Sequence, residues 1–282
     1  MNEPKLYSKH NSLQTTDNIH VIENFLGLID WTKGDNQTAI DLGCGEGYTT
    51  ANILLPKLPP SLTRLVGCDI SEKMIRFAKK ARRNSRLDFR QLDLMDGETC
   101  RRISGQFDHV FSFYCLHWIA DQRKAFDNIR QLLKPGGDLL MSFLGTNPIY
   151  DVYESMSRNI QWASYFRKEM VSPYHNCKNA KQKVTKLLQE AGFQDLRCVV
   201  EDRQHVFTSL KHMEKSIIAV DPILPKLSPE ERVQYIKDFT KEVRNIYSCN
   251  VKWFESGSTE STPVDYKLII VYARKPSTST TY

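Results

Sequence analysis

The sequence predicts an α/β fold, a mostly parallel twisted sheet with helices on both faces. Three observations carry that reading. Short β-rich apolar runs alternate with longer stretches of helical period over the first half of the chain. The first such run ends on Asp41 and enters a glycine-rich turn, "AIDLGCGEGYTT" from Ala39 to Thr50. The second run also ends on an acid, Asp69, in "VGCDIS". Parallel strands joined by crossover helices gather their carboxyl ends along one edge, where turns and strand-end side chains form a ligand site.

Taken in order, Ile22, Phe25, Leu26 and Ile29 share a helical face ahead of the strand "TAIDLG". "TTANILL" starts a helix that Pro56 and "PPS" break. "RLVGCDI" is the second strand, and Ser71 caps a helix with the face Met74, Phe77, Ala78 and Ala81. "LDFRQLDL" and "FDHVFSFY" read as the third and fourth strands. Ala125, Ile129, Leu132 and Leu133 mark a helix stopped by "KPGG" at Lys134 to Gly137, before the fifth strand "DLLMSFL". After Gly145 the character changes, with Tyr150, Tyr153, Met156, Trp162, Tyr165, Phe166 and Met170 crowded into one stretch. Val184, Leu187, Leu188 and Ala191 form a helical face closed by Gly192, and "CVVEDRQHVF" follows as a strand. Ser228-Pro229-Glu230-Glu231 opens a helix with proline in its first turn, and Asp265 to Lys275 is a final strand.

The chain has 282 residues, 40% hydrophobic and 26% charged, enough for one sizeable core with an appended subdomain. No apolar run is long enough to cross a bilayer, and the N-terminal "MNEPKLYSKHNSLQ" lacks the apolar stretch of a signal peptide. Seven cysteines without a C-x-x-C pair suit neither a disulfide framework nor a zinc site, so a reduced, cytoplasmic protein without metal is expected. The net charge of +6 is modest. The densest basic run, Lys79 to Arg86, reads as a solvated helix face, and no nucleic-acid partner is expected.

At the glycine turn, Gly43, Gly45 and Gly47 leave room for a ligand to lie against the main chain. Asp69 is placed to accept from both hydroxyls of a ribose, and Asp93 from an exocyclic amine such as that of adenine. Asp41-Leu42-Gly43-Cys44-Gly45-Glu46-Gly47 is not the G-x-G-x-x-G of dinucleotide sites, and no P-loop is present. With Asp69, Asp93-Leu94 and "LLKPGG", this loop resembles the class I, S-adenosylmethionine-dependent methyltransferases over roughly residues 35 to 145. The resemblance implies a Rossmann-like fold with Asp41, Gly43, Gly45, Asp69, Ile70, Asp93, Leu94 and Ser112 at the cofactor, Asp41 beside its ammonium group. It also implies a division into an N-terminal helical segment and cofactor-binding core (1–145), a mainly helical substrate lid with the C-terminal part completing the sheet (146–275), and a disordered tail (276–282).

The acceptor is read from "SFYCLHWIAD", Ser112 to Asp121, which lacks the Asn/Asp-Pro-Pro-aromatic signature of many amine-methylating relatives. A carboxylate acceptor is ionised at pH 7 and needs donors rather than a base. The Trp118 indole is donor only. Taken alone, Trp118 fits a core residue equally well, His117 a hydrogen-bonded loop histidine, and Gln14 a solvated helix residue. Leu6-Tyr7, the Ser12-Leu13-Gln14 run, "DLGCGEG", "VGCDIS", "FYCLHWI" and the aromatic-rich insert together resemble the juvenile hormone acid O-methyltransferases. That resemblance implies esterification of a terpenoid acid such as farnesoic acid or juvenile hormone acid. Gln14 and Trp118 then hold the carboxylate, His117 stands beside them, and Tyr7 closes over the cofactor. A dry pocket follows, contributed in part by Tyr150 to Met170 and the stretch around Met213, Ile217 and Ile218. The alternatives are a methyltransferase for small polar acids such as trans-aconitate, to which Arg158 and Arg167 lend some weight, and a non-catalytic binding protein.

Overall fold

The computed structural model describes residues 3–250 and 262–277. Within them seven strands pair in the order β3-β2-β1-β4-β5-β7-β6. They are β1 (Gln37–Leu42), β2 (Leu62–Asp69), β3 (Leu87–Gln91), β4 (Phe107–Phe113), β5 (Leu133–Leu144), β6 (Gln194–Phe207) and β7 (Thr262–Arg274). Pairings among β1 to β5 are parallel, whereas β7 runs antiparallel to both β5 and β6. The chain winds outward from β1 in both directions, so a crevice opens past the carboxyl ends of β1, β2 and β4.

Alternation along the strands builds two apolar layers. Ala39, Leu65, Phe111, Leu140 and Ile270 face a layer formed by α2 (Ser12–Phe25), α6 (Pro148–Met156), α8 (Leu210–Val220) and α9 (Pro229–Asn250). Their strand neighbours Ile40, Val66, Val110, Leu139 and Ile269 face α5 (Gln122–Leu132) and α7 (Ala180–Glu190). Helices thus cover both faces, as the sequence implied. The short α1 (Pro4–Lys9) precedes α2, while α3 (Glu72–Ala81) and α4 (Gly97–Arg102) complete the set. Local chemistry sets several ends. The Ser71 hydroxyl accepts from the Met74 N–H at 3.4 Å. Ser228 and Glu231 form a reciprocal capping box, at 2.8 and 3.2 Å, that starts α9.

Some elements differ from the reading by periodicity. "TTANILL" forms a π-helical turn, Thr49–Leu54, followed by a 3-10 turn at Leu55–Lys57, because it drops directly out of the glycine loop into Pro56. The third strand stops at Gln91, so Asp93 stands in a turn where its carboxylate accepts from the Met95 N–H at 2.8 Å. "KPGG" does end α5 but belongs to β5, with Gly136 at φ +75°. The aromatic insert is less lid-like than its composition suggested. Tyr153, Met156, Trp162 and Phe166 are buried in the sheet's own apolar layer beside Tyr235 and Phe239 of α9. Of the tail from 276, residues 278–282 lie outside the described residues, and Pro276 accepts from the Gly136 N–H at 3.3 Å.

At the edge of the sheet opposite the crevice, a buried polar network closes the structure. Asp138 accepts from His109 Nδ1 at 2.6 Å and the Asp30 N–H at 2.9 Å and forms an ion pair with Lys33 Nζ at 3.0 Å, while His109 Nε2 meets Gln37 Oε1 at 2.6 Å. Removing one partner leaves the others uncompensated in an apolar setting. Asp138→Asn is therefore expected to lower stability by about 3 kcal/mol, read as a fall in the urea midpoint with the slope unchanged.

Candidate active site

Two adjoining cavities occupy the crevice. The first is a cradle made by the turn after β1. Gly43 and Cys44 donate their N–H groups to the Cys68 carbonyl at 2.7 and 2.9 Å, which folds the turn against the end of β2. Gly43 adopts φ +77°, and a Cβ there would stand 2.4 Å from Cys115. Its identity is thus fixed by the chain crossing beneath it as well as by the ligand side. Asp69, at the end of β2, accepts from the Gly45 N–H at 3.0 Å through one oxygen and from the Ser71 N–H at 2.8 Å through the other. Each oxygen retains a further lone pair. Glu46 is buried and paired with Arg82 at 3.1 Å, and Arg82 stacks over Tyr48, which clamps the far side of the loop.

Asp41 lies at the floor of the cradle, and the Thr50 hydroxyl donates to it at 2.6 Å. Burial raises its pKa to about 7, against the Thr50 hydrogen bond and with a small push from Asp69. Asn18 of α2 donates to Thr49 Oγ1 at 2.9 Å, and its Oδ1 is buried without a partner among the described residues. The cradle is therefore lined by a carboxylate and by the residue carrying an orphan carbonyl oxygen, both acceptors. This is the donor-poor setting that an ammonium group satisfies. Burial also raises the Asp69 carboxyl and the Cys44 and Cys115 thiols, so neither sulfur is a nucleophile at neutral pH. Ile70 is 63% exposed and Asp93 is exposed as well, and Gln91 Nε2 donates to the Ile70 carbonyl at 3.0 Å. Leu94 is buried, its carbonyl held by Asn128 Nδ2 at 2.7 Å. Ser112 is not brought to the cradle: it is buried, and its hydroxyl donates to the Leu42 carbonyl at 2.8 Å.

The second cavity has an empty volume of about 660 Å³, mouth included, and is walled mainly by Leu13, Leu144, Ile149, Phe207, Ile217 and Val264. Gln14, His117 and Trp118 all line it, although they come from α2 and the turn after β4. His117 is buried, its Nδ1 accepting from the Leu144 N–H at 3.2 Å. That bond puts the proton on Nε2, and burial lowers the pKa to about 3, so the imidazole stays neutral at physiological pH. Trp118 is half-buried, and Gln14 Oε1 is buried without a hydrogen-bond partner among the described residues. The lining contains no arginine or lysine. Arg167 spends its guanidinium on the Ser164 and Phe166 carbonyls at 2.6 and 2.8 Å and lines a separate groove. Arg158 is exposed on the surface.

Tyr7 and Tyr114 line both cavities. Tyr7, on α1, hangs over Gly45, where its ring comes within 3.8 Å of the position of a Cβ. Tyr114 escaped the sequence reading, as did Asn18, Thr50 and Asp17. One signal was available for Asp17: it takes the middle position of the stripe Leu13-Asp17-Val21, spaced four apart on the buried face of α2, where an acid is out of place.

A family model described as a methyltransferase domain matches residues 40–139. The chain is 39% identical to a juvenile hormone acid O-methyltransferase of Bombyx mori, covering 98% of both chains. It is 31% identical to the Drosophila melanogaster enzyme of the same name, covering 98% of this chain and 93% of that one. Among solved structures, phosphoethanolamine N-methyltransferase 2 of Haemonchus contortus, in complex with S-adenosyl-L-methionine, superposes with a TM-score of 0.51 at 19% identity. That match covers 93% of this chain and 53% of the nematode protein, and it shows the shared fold.

Gly43→Ala should unfold the cradle locally. The added methyl group meets Cys115 and adopts a backbone conformation that L residues avoid. The expected loss is about 2–3 kcal/mol, measured as a drop in thermal midpoint, and Gly43→Ala/Cys115→Ala should recover part of it.

Proposed function

The chain belongs to the juvenile hormone acid O-methyltransferases, and from that membership and the two cavities we propose how its residues divide the work. It is an S-adenosylmethionine-dependent carboxyl O-methyltransferase of juvenile hormone biosynthesis. S-Adenosylmethionine, when bound, supplies a methyl group activated by the sulfonium charge. Asp41 and Asn18 Oδ1 hold the ammonium end, and Asp69 takes the ribose hydroxyls on the lone pairs that Gly45 and Ser71 leave free. Ile70 and Asp93 flank the adenine.

The acceptor end is carried by one observation: Gln14, His117 and Trp118 converge on an apolar cavity with no cation in its lining. A carboxylate needs no base to attack, but it must be held without being neutralised. The Trp118 N–H and the His117 Nε2–H donate to it, and a histidine with a pKa near 3 keeps its neutral form while doing so. A paired arginine would have damped the nucleophile far more strongly. Gln14 supports the second oxygen through its amide. The remaining walls strip water from the carboxylate and bury a terpenoid chain at roughly 25 cal/mol per Å² of apolar surface. This favours farnesoic acid or juvenile hormone acid over a polyacid, which would leave its extra carboxylates unpaired. Among the described residues the cysteines are free and no helix is long and apolar enough to cross a membrane, which fits a cytoplasmic site of action.

Transfer of labelled methyl from S-adenosylmethionine to terpenoid acids, straight-chain acids and trans-aconitate tests the assignment. Ester from the terpenoid acids is expected, and ester from trans-aconitate alone would overturn it. Trp118→Ala should lower kcat/KM by 10- to 100-fold, the loss of one charge-assisted hydrogen bond of about 1.5–3 kcal/mol, with cofactor affinity unchanged. Asp69→Ala should show the converse, weakening cofactor binding at least tenfold by calorimetry. Because the pair needs Asp41 ionised and the cofactor's amine protonated, affinity should rise from pH 6 through the Asp41 pKa near 7 and fall again above about pH 8, where an α-amino group loses its proton. Asp41→Asn should flatten that rise.

A further inference from the structure

Between the two cavities stands a side chain held more firmly than packing requires. Tyr114 follows β4 with φ +58°, a left-handed conformation that a bulky residue adopts only when its surroundings hold it there. Its ring lines the cradle on one side and the acid cavity on the other. It also stands edge-on to His117, centroids 5.7 Å apart, and His117 stands 5.2 Å from Trp118. Three rings thus run in series from the partition to the carboxylate donors.

The phenol of Tyr114 donates to Asp17, a fully buried carboxylate on α2. Asp17 also accepts from the Tyr266 hydroxyl at 2.9 Å and from Arg203 Nη2 at 3.1 Å. Neither Asp17, Tyr266 nor Arg203 lines either cavity. A buried acid that binds no ligand is expensive unless fully partnered, and hydrophobic packing at its place on the α2 stripe would serve stability at least as well.

We propose that Asp17 is a positioning residue for methyl transfer, fixing Tyr114 as the aromatic partition against which the donor and acceptor groups are aligned. By anchoring one end of the ring, it sets where the methyl group and the carboxylate oxygen meet and keeps His117 in register with both. A misplacement of the partition by 1 Å is enough to cost about a hundredfold in rate. The proposal rests on reading the cavities as donor and acceptor sites.

The test is a cycle of Tyr114→Phe, Asp17→Asn and the double variant, with Tyr266→Phe for comparison. Turnover of a terpenoid acid, calorimetric cofactor affinity and thermal midpoint are measured on each full-length protein. Tyr114→Phe and Asp17→Asn should each lower kcat tenfold or more, with cofactor affinity within about twofold of the parent. The double variant should be no slower than the slower single, as expected for two residues acting through one bond. Tyr266→Phe removes a hydroxyl from the same carboxylate and should cost similar stability with a smaller loss of kcat. Unchanged kcat in Tyr114→Phe would overturn the proposal. So would additive losses in the double variant, or Tyr266→Phe matching Tyr114→Phe in both midpoint and kcat, which would make Asp17 a stability hub only. Parent protein that forms no terpenoid ester would instead overturn the functional reading.

Discussion

The winding of the sheet outward from β1 is the constraint on which the rest of the molecule depends. Because β2 and β4 both flank β1 and all three run parallel, their carboxyl ends diverge around one crevice. The glycine turn, Asp69 and the "YCLHW" turn are each the first chemistry after one of those strands. Their adjacency in space needs no further explanation than strand order. The opposite edge, with its His109–Asp138 network, serves to hold the strands in that order.

A site built this way keeps polar groups buried and partly unpaired. Asp41, Asn18 Oδ1 and Gln14 Oε1 in the described residues give up solvent without full replacement. The surrounding fold bears that strain through apolar layers on both faces of the sheet. The same reasoning separates acid methylation from polyacid recognition. The second cavity has no arginine or lysine in its lining, so on the proposed reading an anion there would be oriented by neutral donors that leave its electrons available.

What could be read from the sequence was local. Asp41, Gly43, Gly45 and Asp69 declare themselves because the turn and the strand end that use them are contiguous in the chain. The final strand and the helix opened by Ser228 were legible for the same reason. Trp118 was a candidate on its donor-only indole, but it gained weight, as did Gln14, only through resemblance, since nothing near either residue announces a cavity assembled from α2, the turn after β4 and α8. Tyr114 and Asp17 are 97 residues apart, and Asp17 and Tyr266 are 249 apart. No periodicity connects them, and a left-handed φ at a tyrosine leaves no compositional trace. The aromatic insert misled in the other direction. Its rings looked like a movable cover, but most fill the layer between the sheet and α9.

The placement of β7 has a consequence for how the chain reaches its native state. It follows the other six strands in sequence yet lies inside the sheet, with β5 on one side and β6 on the other. During synthesis, β6 therefore has no neighbour to pair with, and β5 exposes an open edge, until β7 has been made. The carboxylate on α2 waits just as long for its Tyr266 partner. Until then the sheet is half zipped, with an unpaired edge exposed. The final insertion of one strand then closes the sheet and the partition between the two cavities in a single late event.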